Sequence, residues 1–506
     1  GAGLRLYLSA LHQSIEIMLL GLDIGSSSVK AALVDDRSGK TIAMAMAPAT
    51  EMKIDSPFPG WAEQDPVSWW NYTVEAIQQL KSNHSAVVAS VKAIGISYQM
   101  HGLVAVDENN LPVRPSIIWC DSRAVKTGAQ ADKALGHEWC LEHLLNSPGN
   151  FTASKLAWVK ENEPHIFSRI KKIMLPGDYI ALRLTAELCT TDTGLSEGVF
   201  WDFIEGKPSQ KLLSHYGFDS DLLAPVSPVF SIQGKVTAEV SQLTGIPAGT
   251  PVSYRAGDQP NNAFSLNVLH PGETAATAGT SGVIYSITER NVSDPQSRVN
   301  TFLHVSHTSD LQRNGVLLCI NGTGILNSWL RRTLGGLSYE DMNQLAGGVP
   351  VGSDGLQFYP FGNGAERVLG NKNPGASMLN LDLNRHGQAH LLRAAQEGIV
   401  FSMFYGFEVL RQMGVETTVV RAGRANMFLS PLFREAFVNT LQVPLELYDT
   451  NGAVGAAIGA GVGAGIFESF PDAFRGLHLL HTEEPDPKII PEYRDAARNW
   501  NARLSF

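Results

Sequence analysis

Leu20-Gly21-Leu22-Asp23-Ile24-Gly25-Ser26-Ser27-Ser28-Val29-Lys30 is the stretch on which the fold turns. An apolar run, a Gly-Ser-Ser-Ser corner and a returning apolar run over residues 31–34 read as a β-hairpin. Such a corner turns backbone N–H groups and hydroxyls toward an anion without needing a charged loop. Thr274-Ala275-Ala276-Thr277-Ala278-Gly279-Thr280-Ser281-Gly282-Val283 repeats the pattern about half a chain later and returns through residues 283–287. Two such turns suit a clamp on a triphosphate. Matching Gly25 to Gly279 sets Asp23 opposite Thr277, so only the first copy keeps an acid.

Working outward, a turn at residues 37–40 leads to a third strand over 41–47. Asp65 and Pro66 then supply the N-cap and first position of a helix running to about residue 82, followed by a strand over 91–97. The second half repeats this order, with strands within 273–288 and at 315–320, and a helix over 324–334. A long helix over 381–413, with apolar spacing at Leu391, Ala394, Ala395, Gly398, Ile399 and Met403, leads to a strand over 418–422. A duplicated β-β-β-α-β series predicts an α/β fold. The expected architecture is two ribonuclease H-like domains flanking a central cleft, as in actin, sugar kinases and heat-shock ATPases. That analogy alone assigns no chemistry.

Length agrees with two domains, since 506 residues exceed one ordinary core. The expected division is a 1–17 appendage, a first domain over 18–264 and a second over 265–506. A formal net charge of −10 argues against a nucleic-acid partner, which would need basic surface to displace counterions. Cys120, Cys140, Cys189 and Cys319 form no Cys-x-x-Cys pair, which points to a reducing, cytoplasmic setting with neither a zinc site nor a disulfide framework. The longest uncharged run, over 451–467, is Gly- and Ala-rich and too short to span a membrane. Residues 1–17 lack a signal-peptide cleavage pattern.

Asp23 is placed to hold Mg2+ directly or through water, because that ion prefers oxygen ligands. An ordinary polar hairpin explains the motif as well. Arg255-Ala256-Gly257-Asp258-Gln259-Pro260 ends a short strand, and Asp258 there could take the proton of an attacking hydroxyl; a plain Asx turn is the alternative. Ser97-Tyr98-Gln99-Met100-His101-Gly102 and Ile118-Trp119-Cys120-Asp121-Ser122-Arg123 together offer an apolar wall plus donors and acceptors suited to a polyol. A lone histidine after a strand is more often structural. Gly455, Gly459 and Gly463 fall on one helix face and permit close approach of a neighbouring element or of a base. No Gly-x-x-x-x-Gly-Lys-Ser/Thr occurs, which removes support for a P-loop.

These motifs, in this order from residue 18 onward, resemble the FGGY carbohydrate kinases, and among them most closely the xylulose kinases. The resemblance implies ATP-dependent phosphorylation of a ketopentose, D-xylulose to D-xylulose 5-phosphate, with Asp258 as general base. Gluconate, ribulose or another polyol is the alternative acceptor within the family. An actin-like ATPase or a sugar sensor is the remote one. The resemblance also assigns Met100, His101, Trp119, Asp121, Arg123 and Gln259 to the sugar. It assigns Ser26, Ser27, Ser28, Lys30, Gly279, Thr280, Ser281, Gly324, Asn327, Gly423 and Asn426 to ATP, and Asp23 to Mg2+. The first domain would then bind sugar and phosphate and the second the nucleotide, in a homodimer with no membrane or nucleic-acid partner. The chain departs from the family at Gln259-Pro260, where many members have Asn-Ala, and at Ala422-Gly423-Arg424-Ala425-Asn426, where Gly-Gly-Gly-Ala is commoner.

Overall fold

The computed structural model describes residues 17–504, so the expected appendage lies, but for Ile17, outside the described residues. The chain forms two compact units. The first joins residues up to Leu135 with Pro148–Ser265 and Asn451–Leu477, and the second joins Gly136–Ser147, Leu266–Thr450 and the residues from His478 onward.

The first unit is built on β1 (Met18–Ile24), β2 (Val29–Asp35), β3 (Thr41–Ala47), β4 (Val91–Tyr98) and β5 (Val252–Gly257), in the order β5-β4-β1-β2-β3. β1, β2 and β3 are antiparallel, whereas β4 and β5 run parallel to β1. The near-continuous apolar runs of β1 and β4 fit this, because strands covered on both faces bury every side chain. β3 lies at the edge and alternates, leaving Ile42, Met44 and Met46 exposed. Helix α1 (Pro66–Val88) covers one face with Trp69, Ile77 and Leu80. Its start follows the sequence, with Asp65 accepting from the Val67 N–H at 2.9 Å. It continues past residue 82 through a non-helical residue, His84.

The second unit repeats the plan. Its strands are β6 (Gly272–Ala278), β7 (Gly282–Thr288), β8 (Asn300–Leu303), β9 (Asn314–Ile320), β10 (Thr417–Gly423), β11 (Leu445–Tyr448) and β12 (Leu479–Glu483), ordered β8-β9-β7-β6-β10-β11-β12. The run β11-β10-β6-β7-β9 has the strand directions of β5-β4-β1-β2-β3, so the duplication read from the two hairpins extends through each sheet. The long helix, α2 (Gln388–Gln412), begins later than the expected residue 381. Asp382 caps a turn there instead, its carboxylate accepting from the Asn384 N–H at 2.9 Å and its carbonyl from the His386 N–H at 2.9 Å.

The small-residue helix α3 (Gly452–Gly463) belongs to the first unit, although the expected division put all of 265–506 in the second. It lies on the face of the first sheet opposite α1. A Cβ on Gly21 would stand 1.7 Å from the Ala453 carbonyl oxygen, and one on Gly95 1.9 Å from that of Ala456. Gly459 and Gly463 face Tyr254 and the Ser253 carbonyl in the same way. Gly455 faces Ser265 of the short helix Asp258–Ser265, so within this unit close packing on that helix and on the sheet accounts for the glycine stripe.

Candidate active site

Three candidate segments of the first unit leave the sheet at the same end. Asp23 is the penultimate residue of β1, the Gln99-Met100-His101-Gly102 turn follows β4, and Asp258 follows β5 at the start of the short helix Asp258–Ser265. Parallel packing of β1, β4 and β5 therefore carries these residues to one edge, the usual place for ligands in such sheets.

Asp258 is half-buried. Burial, and next the charge of Asp23, push its carboxyl up to about 7, against hydrogen bonds from the Gln259 main chain and side chain. A carboxylate so tuned is poised to take a proton near neutral pH. Asp23 is also raised by burial, with Lys30 and the neighbouring Ser97 hydroxyl acting against it. Both are its cross-strand partners, Lys30 on β2 and Ser97 on β4. The N-terminus of α3 adjoins this carboxylate, since a Cβ on Gly452 would stand 2.8 Å from Asp23 Oδ2. Helix N-termini favour negative charge.

Met100 packs against Gly257, the residue before Asp258, and His101 is joined to the same strand end through Glu197. A Cβ on Gly257 would lie 2.6 Å from Met100 Cγ and 3.1 Å from Glu197 Oε1, so glycine lets the sulfur side chain reach the strand end. His101 adopts a left-handed backbone (φ 63°), uncommon for a non-glycine residue. Lys155, fully buried, donates to the carbonyls of His101 at 2.8 Å and Ile118 at 3.1 Å, joining the two loops. Glu197 at the end of the short helix Asp192–Glu197 is nearly sealed, and burial raises it to about 8. The sequence reading missed both; Lys155 stands in an unremarkable helix, and only the acid at the end of a threonine-capped segment could have flagged Glu197.

The second motif expected at the sugar divides. Trp119 is exposed and donates from Nε1 to Ser26 Oγ at 3.3 Å, which ties this loop to the first hydroxyl turn. Asp121 and Arg123 were expected on the sugar, but their polar groups are committed to the protein. Asp121 grips Arg123 through both carboxylate oxygens and accepts from the Ala62 N–H at 2.6 Å. Arg123 is buried, paired with Glu63 at 2.7 Å, and lies 3.7 Å over the Trp61 ring. These two residues brace the loop that presents Trp119. Gln259 stays beside Asp258, as its hydrogen bonds to that carboxyl require.

In the first turn, the Gly25 N–H donates to the Ser28 carbonyl at 3.0 Å and Gln64 holds the Ser26 carbonyl at 2.7 Å; Ser27 and Lys30 are exposed. In the second unit, Gly279-Thr280-Ser281 joins β6 to β7. The Gly324 N–H donates to the Gly279 carbonyl at 2.7 Å, and the Asn426 amide faces Gly279 from the other side. Asn327, one turn after Gly324 on the helix Gly324–Thr333, is buried with its Oδ1 unpartnered, a feature that suits a ligand donor. Gly423 ends β10 and accepts from the Ala425 N–H at 2.8 Å at the base of the loop that carries Asn426.

The model of the N-terminal domain of the FGGY family of carbohydrate kinases matches residues 18–265. A curated xylulose kinase from Bacillus subtilis is 30% identical over 464 residues, covering 90% of each chain. The chain belongs to the FGGY family of carbohydrate kinases. The xylulose kinase of Escherichia coli is 29% identical over 87% of each chain. Among solved structures, the xylulose kinase from Rhodospirillum rubrum superposes on this carbohydrate kinase with a TM-score of 0.86 at 27% identity, over 96% of this chain and 98% of that one. The fold is thus the α/β, two-domain fold of the sugar kinases. Among the described residues, no helix is long and apolar enough to cross a membrane.

Proposed function

We propose that this carbohydrate kinase transfers the γ-phosphoryl group of ATP to the terminal hydroxyl of D-xylulose, with Asp258 as general base and Met100 and His101 on the sugar. The observation that carries this reading is Asp258 at the end of β5, where Met100 packs on Gly257 and Glu197 links Gly257 to the His101 turn. There a carboxyl pushed up to about 7 follows a strand end lined by the Met100 side chain. The hydroxyl proton passes to Asp258 as the alcohol oxygen attacks phosphorus, while the bond to the ADP oxygen breaks. Water exclusion favours this transfer over hydrolysis.

Asp23 fits a magnesium ion that keeps most of its waters. Among the described residues, no three His, Cys, Asp or Glu side chains converge, so a fully protein-built cage is not the arrangement here. Asp23 would hold the ion, which when bound neutralises phosphate charge. Gly279, Thr280, Ser281, Gly324, Asn327, Gly423 and Asn426 would hold the nucleotide, together with the hydroxyls of Ser26, Ser27 and Ser28 and the Lys30 ammonium.

A neutral ketose suits the first unit better than a sugar acid. Asp23, Asp258 and Glu197 all lie at this edge of the sheet, and burial raises each one. Arg255 is committed to Asp178 at 2.8 Å and Lys155 to two carbonyls, so neither is arranged for a substrate carboxylate. A relative named as an L-xylulose/3-keto-L-gulonate kinase from Escherichia coli is 29% identical over 92% of each chain, which makes both acceptor classes necessary controls. The test is ADP release with D-xylulose, D-ribulose, L-xylulose, D-gluconate, 3-keto-L-gulonate and glycerol. The highest kcat/KM is expected with D-xylulose; a preference for either acid would overturn the assignment.

A further inference from the structure

Glu197 is the carboxyl at this site to which the proposed chemistry gives no task, and it is the most thoroughly engaged. Its Oε1 accepts from the Tyr98 hydroxyl at 2.5 Å and its Oε2 from the His101 main-chain N–H at 2.9 Å. Its own main-chain carbonyl lies 2.9 Å from His101 Nδ1. A carbonyl can only accept, so the neutral ring carries its hydrogen on Nδ1 and Nε2 is an acceptor. The ring packs edge-on against Phe151, with centroids 4.9 Å apart. Oε1 also faces Gly257, the residue before Asp258. One side chain therefore borders the end of β4, the left-handed turn after it and the end of β5.

We propose that Glu197 is a positioning residue for sugar recognition. Its carboxyl pins the left-handed turn at His101, and its carbonyl fixes the His101 tautomer, so that Nε2 accepts from a sugar hydroxyl beside Asp258. This rests on the reading of Met100 and His101 as the sugar site. It narrows the ligand to one that presents a hydroxyl donor to His101, which a neutral polyol does and a carboxylate oxygen does not.

The left-handed turn is what requires the carboxyl. A non-glycine residue with positive φ persists only where its surroundings over-determine it. Here the His101 N–H is held by Glu197 and the His101 carbonyl by Lys155. Removing the carboxyl leaves a buried N–H and a buried phenol hydroxyl without their acceptor, a loss that relaxes the turn and misplaces the imidazole.

The experiment is steady-state kinetics of Glu197→Ala, Glu197→Gln, Tyr98→Phe and Asp258→Asn, with D-xylulose and ATP each varied. Glu197→Ala is expected to raise the D-xylulose KM about 10-fold or more, the worth of a buried hydrogen bond, with the ATP KM within about twofold. In Glu197→Gln, whose amide oxygen can still accept from the His101 N–H, the sugar KM should return to within about threefold of the parent. A sugar KM unchanged in Glu197→Ala, an ATP KM that rises in step with it, or a Gln variant no better than Ala would each overturn the proposal. If Glu197→Ala does not fold, Tyr98→Phe decides. It should show the same split at about 3- to 10-fold, and an unmoved sugar KM would overturn the proposal. Asp258→Asn separates the two levels. Retained turnover there refutes the active-site reading itself, whereas lost turnover together with a normal Glu197→Ala refutes the role of Glu197 alone.

Discussion

Asp258→Asn should make the protein more stable and almost inactive, and the two effects share one cause. The native carboxyl titrates at about 7, against 3.8 for an unperturbed aspartate, because burial and the Asp23 charge penalise its ionised form. The sign follows from linkage. A carboxyl raised on folding binds its proton more tightly in the native state, so ionising it destabilises that state as pH climbs from 3.8 through about 7. The penalty is absent below the unfolded value and complete above the folded one. At about 1.4 kcal/mol per pKa unit, its ceiling is about 4 kcal/mol. An amide of the same shape carries no such penalty. Thermal melts of both proteins at pH 4, 6 and 8 should therefore diverge progressively, reaching a gain of a few degrees for the variant at pH 8. Turnover at pH 8 should fall by about 10²- to 10⁴-fold, the usual worth of a positioned base. Equal melting temperatures at pH 8, or turnover within tenfold of the parent, would refute the picture of a strained base.

For the unmodified enzyme, kcat/KM should rise with pH and level off above about 7, where Asp258 is ionised. Because Asp23 and Glu197 are coupled to it, the midpoint belongs to the group of three, and a profile flat from pH 5 to 8 would exclude a carboxylate base there. Gly95→Ala sets a methyl 1.9 Å from the Ala456 carbonyl oxygen, main chain that cannot step aside. It should cost about 3 kcal/mol or prevent folding, as read by urea denaturation. Asn327→Ala removes the unpartnered buried acceptor and should raise the ATP KM about 10-fold while leaving the sugar KM in place.

The sequence reveals what local chemistry dictates. Asp65 and Pro66 mark a helix start through an acceptor at the cap and a missing N–H, and the two Gly-Ser/Thr corners mark hairpins because each stands between apolar runs. What it conceals is set by contacts distant along the chain. Asp121 and Arg123 look like a sugar signature until Glu63, Trp61 and the Ala62 N–H, some sixty residues earlier, are found consuming their valences. Glu197 is nearly a hundred residues from the turn it holds, and its partners there are a tyrosine hydroxyl and a main-chain N–H, neither of which marks a sequence. The glycines of α3 leave packing and ligand approach equally open when read alone; Ser265 at Gly455, Tyr254 at Gly459 and the Ser253 carbonyl at Gly463 show the packing.

The duplication also divides the chemistry by charge. Each unit places a hairpin at the equivalent position of its own sheet, yet the first sets Asp23 where the second has Thr277, and its parallel strand ends lead to Asp258 and to the turn held by Glu197. The corresponding region of the second unit has no carboxyl at position 277 and sets the Asn426 amide beside Gly279. Carboxyls repel a polyphosphate unless a cation stands between, whereas neutral N–H donors hold it at any pH. Under the proposed function, the acidic copy is therefore the one that must deprotonate an uncharged alcohol and share a metal ion. The neutral copy can bind the nucleotide without opposing the base. A second acid in place of Thr277 would add repulsion toward the phosphates. An asymmetric pair of corners thus suits transfer from a polyanion to a sugar better than a symmetric one.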